Sequence, residues 1–594
     1  MTVQVGQALE PSTLPSTAIH FAPRLGAALA LGLLAISSPA RADYPIASHR
    51  YLADPGSLVF GGRVYLYNSN DDDNPIAGGY QMKSIVCVSS ADMKNWTDHG
   101  VVFSVPADAA WAHDSWAPQP IERDGTIYMY FGNNANGVGV ASSKDPIAGF
   151  KDGGGKALID GSTPGAAGTD IWLFDPGALI DSDGQAYLSF GGNGESNARI
   201  IKLGSDLVSI SGTAAQLSPK GFFEASFMFK RNDTYYLAYS TNSDNGLRID
   251  YLTSKSPMSG YTYGGVIADQ PPQNGNNNHA SEFVFKDKWY HAYHNRVVGK
   301  QAGIDATYRR NLALEVLDFN ADGSIKQVTY TTDGVPQVGT LNPYARVEGE
   351  TMNAQSGIET EKCAEGGMNV TDIGDGDWIK LRGLDFGTSG AKAFSARVAS
   401  AAGGGRIELH LDSDAGMLVG KCDVQATGAV QTWATTTCDV SGATGAHDLV
   451  LKFTGPAFNL NYWQFTPVDA SMGGTGGAGG TGGTSGASGS DAGSGGGPVD
   501  QAGSASGGTT TGGSASGSGP LTTAGSSGQS VGGGGLGSAA GSPAAPSGNG
   551  AVNSDGASDS SGCGCRVGVR TTTSTGLLGL VAATALALCR RRRR

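Results

Sequence analysis

"GGRVYLYNS" (residues 61–69) is a polar turn followed by a strand-like run centred on an aromatic residue. The same phrase returns as "DGTIYMYFG" (124–132), "DGQAYLSFG" (183–191), "NDTYYLAYS" (232–240) and "KDKWYHAYH" (286–294). Its marker residues Tyr65, Tyr128, Tyr187, Tyr236 and Tyr290 lie 63, 59, 49 and 54 residues apart. That spacing suits a four-stranded sheet with its loops, and five copies predict a five-bladed β-propeller. A β-sandwich with similar turns is the alternative. Period-2 apolar runs and frequent Gly, Asn and Asp turns, without a long amphipathic helix, place the chain in the all-β class.

In a propeller the innermost strand of each blade lines the axis, so equivalent positions converge there. Counting back 11 or 12 residues from each marker reaches Asp54, Trp116, Asp175, Glu224 and His279. Each is flanked by apolar or small residues, where an ionisable group is costly unless it is used. Three carboxylates, an imidazole and an indole at one offset suit cleavage of a glycosidic bond. That reaction needs one carboxylic acid to protonate the leaving oxygen and one carboxylate to act on water or on the anomeric carbon. A third carboxylate holds the acid protonated by like-charge repulsion.

The motifs "ADP", "WAPQ", "FDPGALIDSDGQAYL", "FEASFMFKRNDTYYLAYS", "NHASEFVFKDKWYHAYH" and "RRNLALEVLDFNADGSI" occur in order over about residues 45 to 340. Together they resemble glycoside hydrolase family 43. The resemblance implies an inverting mechanism with Asp54 as general base, Asp175 as pKa modulator and Glu224 as general acid. It further implies substrate contacts from Trp116, His279 and Arg310, with Arg309 as the rival arginine and a calcium ion or water cluster near His279. The chemistry itself would require no cofactor. Removal of α-L-arabinofuranosyl groups from arabinoxylan is the expected activity, with β-xylosidase or endo-arabinanase action, or a non-catalytic glycan-binding role, as alternatives. Asp71-Asp72-Asp73 reads as a solvated loop, or as a sugar or calcium contact at the pocket rim. His291 and His294, three apart on a strand, face opposite sides and cannot close on one zinc. No GxSxG, P-loop or HExxH motif is present.

Residues 344–468 carry "RVEGETMNAQSG", "GDGDWIKLRGLDFG", "ARVASAAGGGRIELHLDS", "LVLKFTG" and "FNLNYWQF". They resemble a carbohydrate-binding module of family 6, a β-sandwich. By that resemblance Asn459 contacts sugar, and Glu348 and Glu350 belong to a structural calcium site in which Asn461 replaces the usual aspartate. Asp372 and Val430 stand where sugar-stacking aromatic residues are usual. Glycan binding through that cleft or through another face both remain open. Trp378, Trp433 and Trp463 are expected in the core. Cys422 and Cys438 flank a short segment like neighbouring antiparallel strands and are the expected disulfide in an oxidising compartment. Cys87 is expected as a buried thiol, and Cys363 has no evident partner.

The formal charge of −13 over 594 residues argues against a nucleic-acid partner. Plant-type polysaccharide (arabinoxylan, arabinan or xylan) is the expected partner, and a monomer the expected state. Residues 1–42 read as a signal peptide ending in Ala40-Arg41-Ala42, and 43–343 as the catalytic propeller. Residues 469–562 are almost all Gly, Ser, Ala and Thr, with no aromatic residue, Lys or Arg. They cannot bury a core and read as a tether of roughly 50 Å root-mean-square span. Residues 563–594 combine "GCGC", an apolar run of membrane-spanning length and an Arg cluster. This resembles the C-terminal surface-sorting signals of myxobacterial exported proteins, so export and attachment to the cell envelope are expected.

Overall fold

The computed structural model describes residues 45–75 and 78–468. The expected signal peptide, tether and hydrophobic C-terminal segment lie outside the described residues. Among the described residues the only α-helix is Val297–Gln301, and no helix is long and apolar enough to cross a membrane.

Five antiparallel sheets follow one another along the chain, each running in simple sequence order. Their first strands are Leu52–Phe60, Trp116–Arg123, Gly177–Ile180, Phe222–Arg231 and Ala280–Phe285. The recurring phrase forms the turn into the second strand of each sheet. In the first sheet Gly61 and Gly62 both take positive φ (56° and 78°), which suits a two-residue hairpin whose twist matches that of its strands. The marker tyrosines then pair directly with apolar residues of the first strands: Leu58 with Tyr65, Ile121 with Tyr128, Leu179 with Tyr187, Phe229 with Tyr236 and Phe283 with Tyr290. The phrase is therefore the signature of one cross-strand pair repeated in every sheet.

Neighbouring sheets share apolar cores, and these cores close a ring. Tyr67 and Phe103 of the first sheet pack with Met129 and Phe131 of the second, and Tyr130 and Val140 with Leu188 and Ile201 of the third. Tyr187 and Ile200 meet Met228 and Tyr239 of the fourth, whose Phe229 and Tyr236 meet Tyr293 and Leu317 of the fifth. Phe283 and Leu314 of the fifth sheet then pack on Leu52 and Val88 of the first. The first strands touch in the same cyclic order. Ile46, ahead of the first sheet, donates its N–H to Leu312 of the fifth at 3.1 Å and fastens the seam.

At the narrow centre of this ring two glycines are sterically required. A Cβ on Gly56 would lie 1.8 Å from the carbonyl oxygen of Pro118, and one on Gly177 would lie 2.3 Å from that of Ser226. Each is the last residue of an Asp-Pro-Gly triplet, so the glycine lets adjacent first strands approach while the aspartate sits at the end of the strand.

Residues 347–467 form two further sheets, face to face. Ile379, Leu381, Leu409, Leu451 and Phe453 of one meet Phe394, Val398, Leu460, Trp463 and Phe465 of the other. Trp463 is fully buried, whereas Trp378 and Trp433 are half-buried, so only one of the three expected core tryptophans lies wholly inside. Cys422 and Cys438 are disulfide-bonded with Cα atoms 5.1 Å apart. They lie on strands of different sheets, so the bond joins the two layers at their edge instead of two strands of one sheet. Cys87 and Cys363 are free and buried.

The sandwich is built onto the ring. Its short strand Thr351–Met352 pairs with Trp96–Ser104 and becomes a fifth strand of the first sheet. Asn95 exchanges two 2.8 Å hydrogen bonds with the backbone of Arg382. Buried Asp98 accepts from Arg50 (2.6 Å), lies 2.9 Å from His49, and accepts from Thr360 of the sandwich (2.7 Å).

Candidate active site

Asp54, Trp116, Asp175, Glu224 and His279 all lie at or just before the beginnings of the five first strands, hence at one end of the ring. Relative to the left-handed residue of each strand, the positions of four of them differ by one. Asp54 and Asp175 themselves take left-handed conformations (φ 51° and 49°), whereas in the second and fourth sheets Ala117 and Ala225 take them (45° and 58°). Trp116 and Glu224 come one residue earlier. A bulge accompanies the change in the first, second and fourth sheets, where the register shifts after Ala53, Trp116 and Glu224. Bulges of this kind re-aim a side chain at a sheet edge.

These five residues and Arg310 line one cavity of about 380 Å³. Its wall adds the rings of Tyr80, Trp172, Phe174 and Phe223 and the amides of Asn134, Asn276 and Asn277. Rings for stacking on a sugar face and amides for its hydroxyls are the mixture that a carbohydrate pocket needs.

The three carboxylates are each less than a tenth exposed, and their surroundings differ. Asp54 receives Arg310 Nη1 at 2.5 Å, and His294 Nδ1 and His279 Nδ1 lie 3.3 and 3.8 Å from its Oδ1. Burial alone would raise its pKa; the Arg310 guanidinium, with His294 and His279, overcomes this and holds Asp54 far below the usual carboxylate range. Glu224 goes the other way. Burial and the Asp175 and Asp54 charges push it well above that range, against the weaker pull of Arg310 and of a hydrogen bond from Asn277. Burial and Asp54 also raise Asp175, while the Ala225 N–H, 3.0 Å from its Oδ2, favours the ionised form. Of this coupled pair, Asp175 has the amide that stabilises a carboxylate, so the shared proton rests on Glu224. Burial lowers His279 and His294 to about 4, and both rings are neutral near pH 7.

Several residues differ from expectation. Asp71 is completely buried and forms a two-pronged ion pair with Arg310, so it is neither a solvated loop residue nor a rim contact. Arg309 turns away and donates to the carbonyl oxygens of Asp71, Tyr308 and Asn74, which leaves Arg310 as the site arginine. His291 pairs with Glu282 at 2.9 Å, while His294 reaches Asp54, as their opposite facing requires. In the sandwich, the Asn459 amide donates to Glu361 and to the Val430 carbonyl and accepts from Thr371, so its polar atoms are engaged internally. Glu348 pairs with Arg346 at 2.8 Å, and Glu350 is buried with Oε2 unpartnered among the described residues. Among the described residues no cluster of three or more His, Cys, Asp or Glu side chains is arranged to hold a metal, and His279 stands 3.8 and 3.9 Å from Asp54 and Asp175.

Comparison with known proteins agrees with this geometry. Residues 42–325 match "Glycosyl hydrolases family 43" and residues 348–467 match "Carbohydrate binding module (family 6)". The chain is 40% identical over 477 residues to an arabinoxylan arabinofuranohydrolase of Bacillus subtilis, covering 71% of this chain and 92% of that protein. It is 40% identical over 473 residues to an arabinoxylan arabinofuranohydrolase of Paenibacillus polymyxa, covering 71% and 74%. The crystal structure of a family 43 arabinoxylan arabinofuranohydrolase from Bacillus subtilis, in complex with cellotetraose, superimposes with a TM-score of 0.68 at 39% identity. It covers 72% of this chain and 98% of its own.

Proposed function

The chain belongs to glycosyl hydrolase family 43, and from that premise we propose that it removes α-L-arabinofuranosyl side groups from arabinoxylan with inversion at the anomeric carbon. The observation that carries this reading is the division of three carboxylates in one cavity into an ionised Asp54 and a protonated Glu224, with the Asp175 carboxylate raising the latter. Glu224 delivers its proton to the leaving oxygen as the glycosidic bond breaks. Asp54 takes a proton from the attacking water, whose oxygen bonds to the opposite face of the anomeric carbon. Asp175 keeps Glu224 protonated near neutrality by repulsion. Water and two carboxyl groups supply every atom of the reaction, so no cofactor takes part.

The binding roles follow from position. Trp116 supplies a ring to the sugar face, and Arg310 and His279 border the base. The five-sheet ring is read as a five-bladed propeller over residues 43–343, and the sandwich as a glycan-binding module over 344–468. Export of a monomer after cleavage of residues 1–42, and attachment to the envelope through residues 563–594, rest on sequence composition.

The test is hydrolysis of p-nitrophenyl α-L-arabinofuranoside, p-nitrophenyl β-xyloside and arabinoxylan, with the product anomer followed by NMR. Release of arabinose from arabinoxylan, lost in Glu224→Ala, is the expected result. If the wild-type protein leaves all three substrates intact, the assignment is wrong. Cleavage of the β-xyloside alone would move it to β-xylosidase.

A further inference from the structure

Asp71 is the one buried carboxylate beside the site that the reaction above does not use. It begins the short 3-10 turn Asp71–Asp73 and is fully shielded from solvent. It is not part of the cavity wall, so it cannot touch a sugar.

Its contacts are directed at a single side chain. Asp71 Oδ2 accepts from the backbone N–H and from Nε of Arg310, and Oδ1 from Nη2, each at 2.8 Å. Asn74 Nδ2 completes Oδ1 at 3.2 Å. With Nε and Nη2 held, Nη1 points to Asp54 at 2.5 Å. Behind the guanidinium lie the Tyr80 ring, 4.8 Å away, and Met82 Sδ at 3.1 Å. The backbone N–H of Asp71 also donates to the carbonyl of Tyr51 at 2.9 Å, three residues ahead of Asp54. One residue thus ties down both the segment leading to Asp54 and the arginine that pairs with it. Neutralising a buried Arg310 requires one carboxylate, which Asp54 already supplies. A second, two-pronged partner adds orientation, because the planar guanidinium can satisfy both acids in only one attitude.

We propose that Asp71 is a positioning residue for the hydrolysis, holding Arg310 in the one orientation that fixes the Asp54 carboxylate toward the attacking water. The inference rests on the assignment of Asp54 as base. Misplacing a catalytic group by about 1 Å can cost about 10²-fold in rate, which sets the scale of the effect.

Steady-state kinetics on arabinoxylan test it with Asp71→Asn, Arg310→Lys, the double variant, and Asp73→Asn as a control in the same turn. Asp71→Asn is expected to lose about 10²-fold in kcat with KM within about threefold, since Asp71 itself touches no sugar and its effect falls on the Arg310–Asp54 pair. The double variant is expected to be no slower than Arg310→Lys alone, because Asp71 acts only through that arginine. Asp73→Asn keeps wild-type kcat. A folded Asp71→Asn with wild-type kcat, or losses that multiply in the double variant, would overturn the proposal. Should Asp71→Asn not fold, Asp71→Glu displaces the carboxylate by one methylene, and wild-type kcat in that variant would equally overturn it. Failure of the underlying reading looks different: Asp54→Asn would then retain wild-type kcat.

Discussion

Asp175 accepts the backbone N–H of Ala225, the residue immediately after Glu224, at 3.0 Å. The strand that carries the acid therefore stabilises the ionised form of its neighbour, and the two carboxyl groups are made unequal by one amide.

Replacing Asp175 with asparagine removes the charge that helps keep Glu224 protonated. The pKa of Glu224 then falls, and the acid loses its proton at lower pH. The alkaline limb of the kcat/KM profile should move toward lower pH by at least about one unit, with reduced kcat near neutrality. An unmoved limb in a folded variant would mean that Asp175 does not act on Glu224 through charge.

Glu224→Ala should weaken hydrolysis of arabinoxylan by about 10²- to 10⁴-fold, the usual worth of a positioned acid. The aryl arabinofuranoside, whose leaving group needs little protonation, should suffer much less. Asp54→Ala should depress both substrates alike, because attack by water is common to them. Equal losses on both substrates in Glu224→Ala would remove it from the role of acid.

Acid stability follows from the buried histidines. An unfolded histidine binds a proton near pH 6.5, whereas His99, His279 and His294 do so at about 4 when folded. Between those values the unfolded chain holds more protons, so lowering the pH favours unfolding, by on the order of 3 kcal/mol per histidine by pH 4. Asp54 and Asp98, held low by Arg310 and Arg50 against the effect of burial, stay ionised in the folded chain and add to the loss only below about pH 5, where unfolded aspartates begin to bind protons. Glu224 and Glu350, buried carboxyls held well above the usual range, act in the opposite sense over this window, because folded they keep protons that the unfolded chain releases. The histidine share is therefore read as a difference: on going from pH 7 to pH 4.5 the denaturation midpoint of His99→Gln, outside the cavity, should fall less, or rise more, than that of the wild type. An identical pH dependence in the wild type and His99→Gln would contradict this account.

The Cys422–Cys438 bond closes a loop of 16 residues between the two sandwich layers. Its removal in Cys422→Ser/Cys438→Ser should cost about 3 kcal/mol of stability. The cavity draws no residue from the sandwich, so kcat on a small aryl substrate should stay at the wild-type value. A fall in kcat with the protein still folded would show that the sandwich reaches the site in another way.

Much of this site could be read from the recurring phrase, because the marker tyrosine repeats one cross-strand pair and the residues a fixed distance before it begin the first strands. The ambiguity between 11 and 12 residues has two physical sources: Trp116 and Glu224 stand one residue before the left-handed position that Asp54 itself occupies in its strand, and the third hairpin is one residue longer, so that Tyr187 pairs with Leu179 eight residues back where Tyr65 pairs with Leu58 seven back. Asp71 and His294 were not legible in the same way. Asp71 sits in a run of three aspartates that looks solvated, and its partner Arg310 is 239 residues away. His294 belongs to a second strand, where no repeated offset marks it. Tyr80 and Trp172 come from segments that do not repeat from sheet to sheet, so only the folded chain brings them to the cavity. Asn459 carries a further fact that its residue type does not announce: its amide is engaged by Glu361, Val430 and Thr371.

The pairing of Thr351–Met352 with Trp96–Ser104 has a mechanical consequence. A domain hung on a loose linker would let the cavity sweep a volume around any glycan the sandwich holds. A domain sharing a β-sheet with its neighbour cannot pivot without breaking backbone hydrogen bonds. Cavity and sandwich therefore behave as two marks on one ruler, and a glycan gripped by the sandwich would meet the cavity at a set distance and angle.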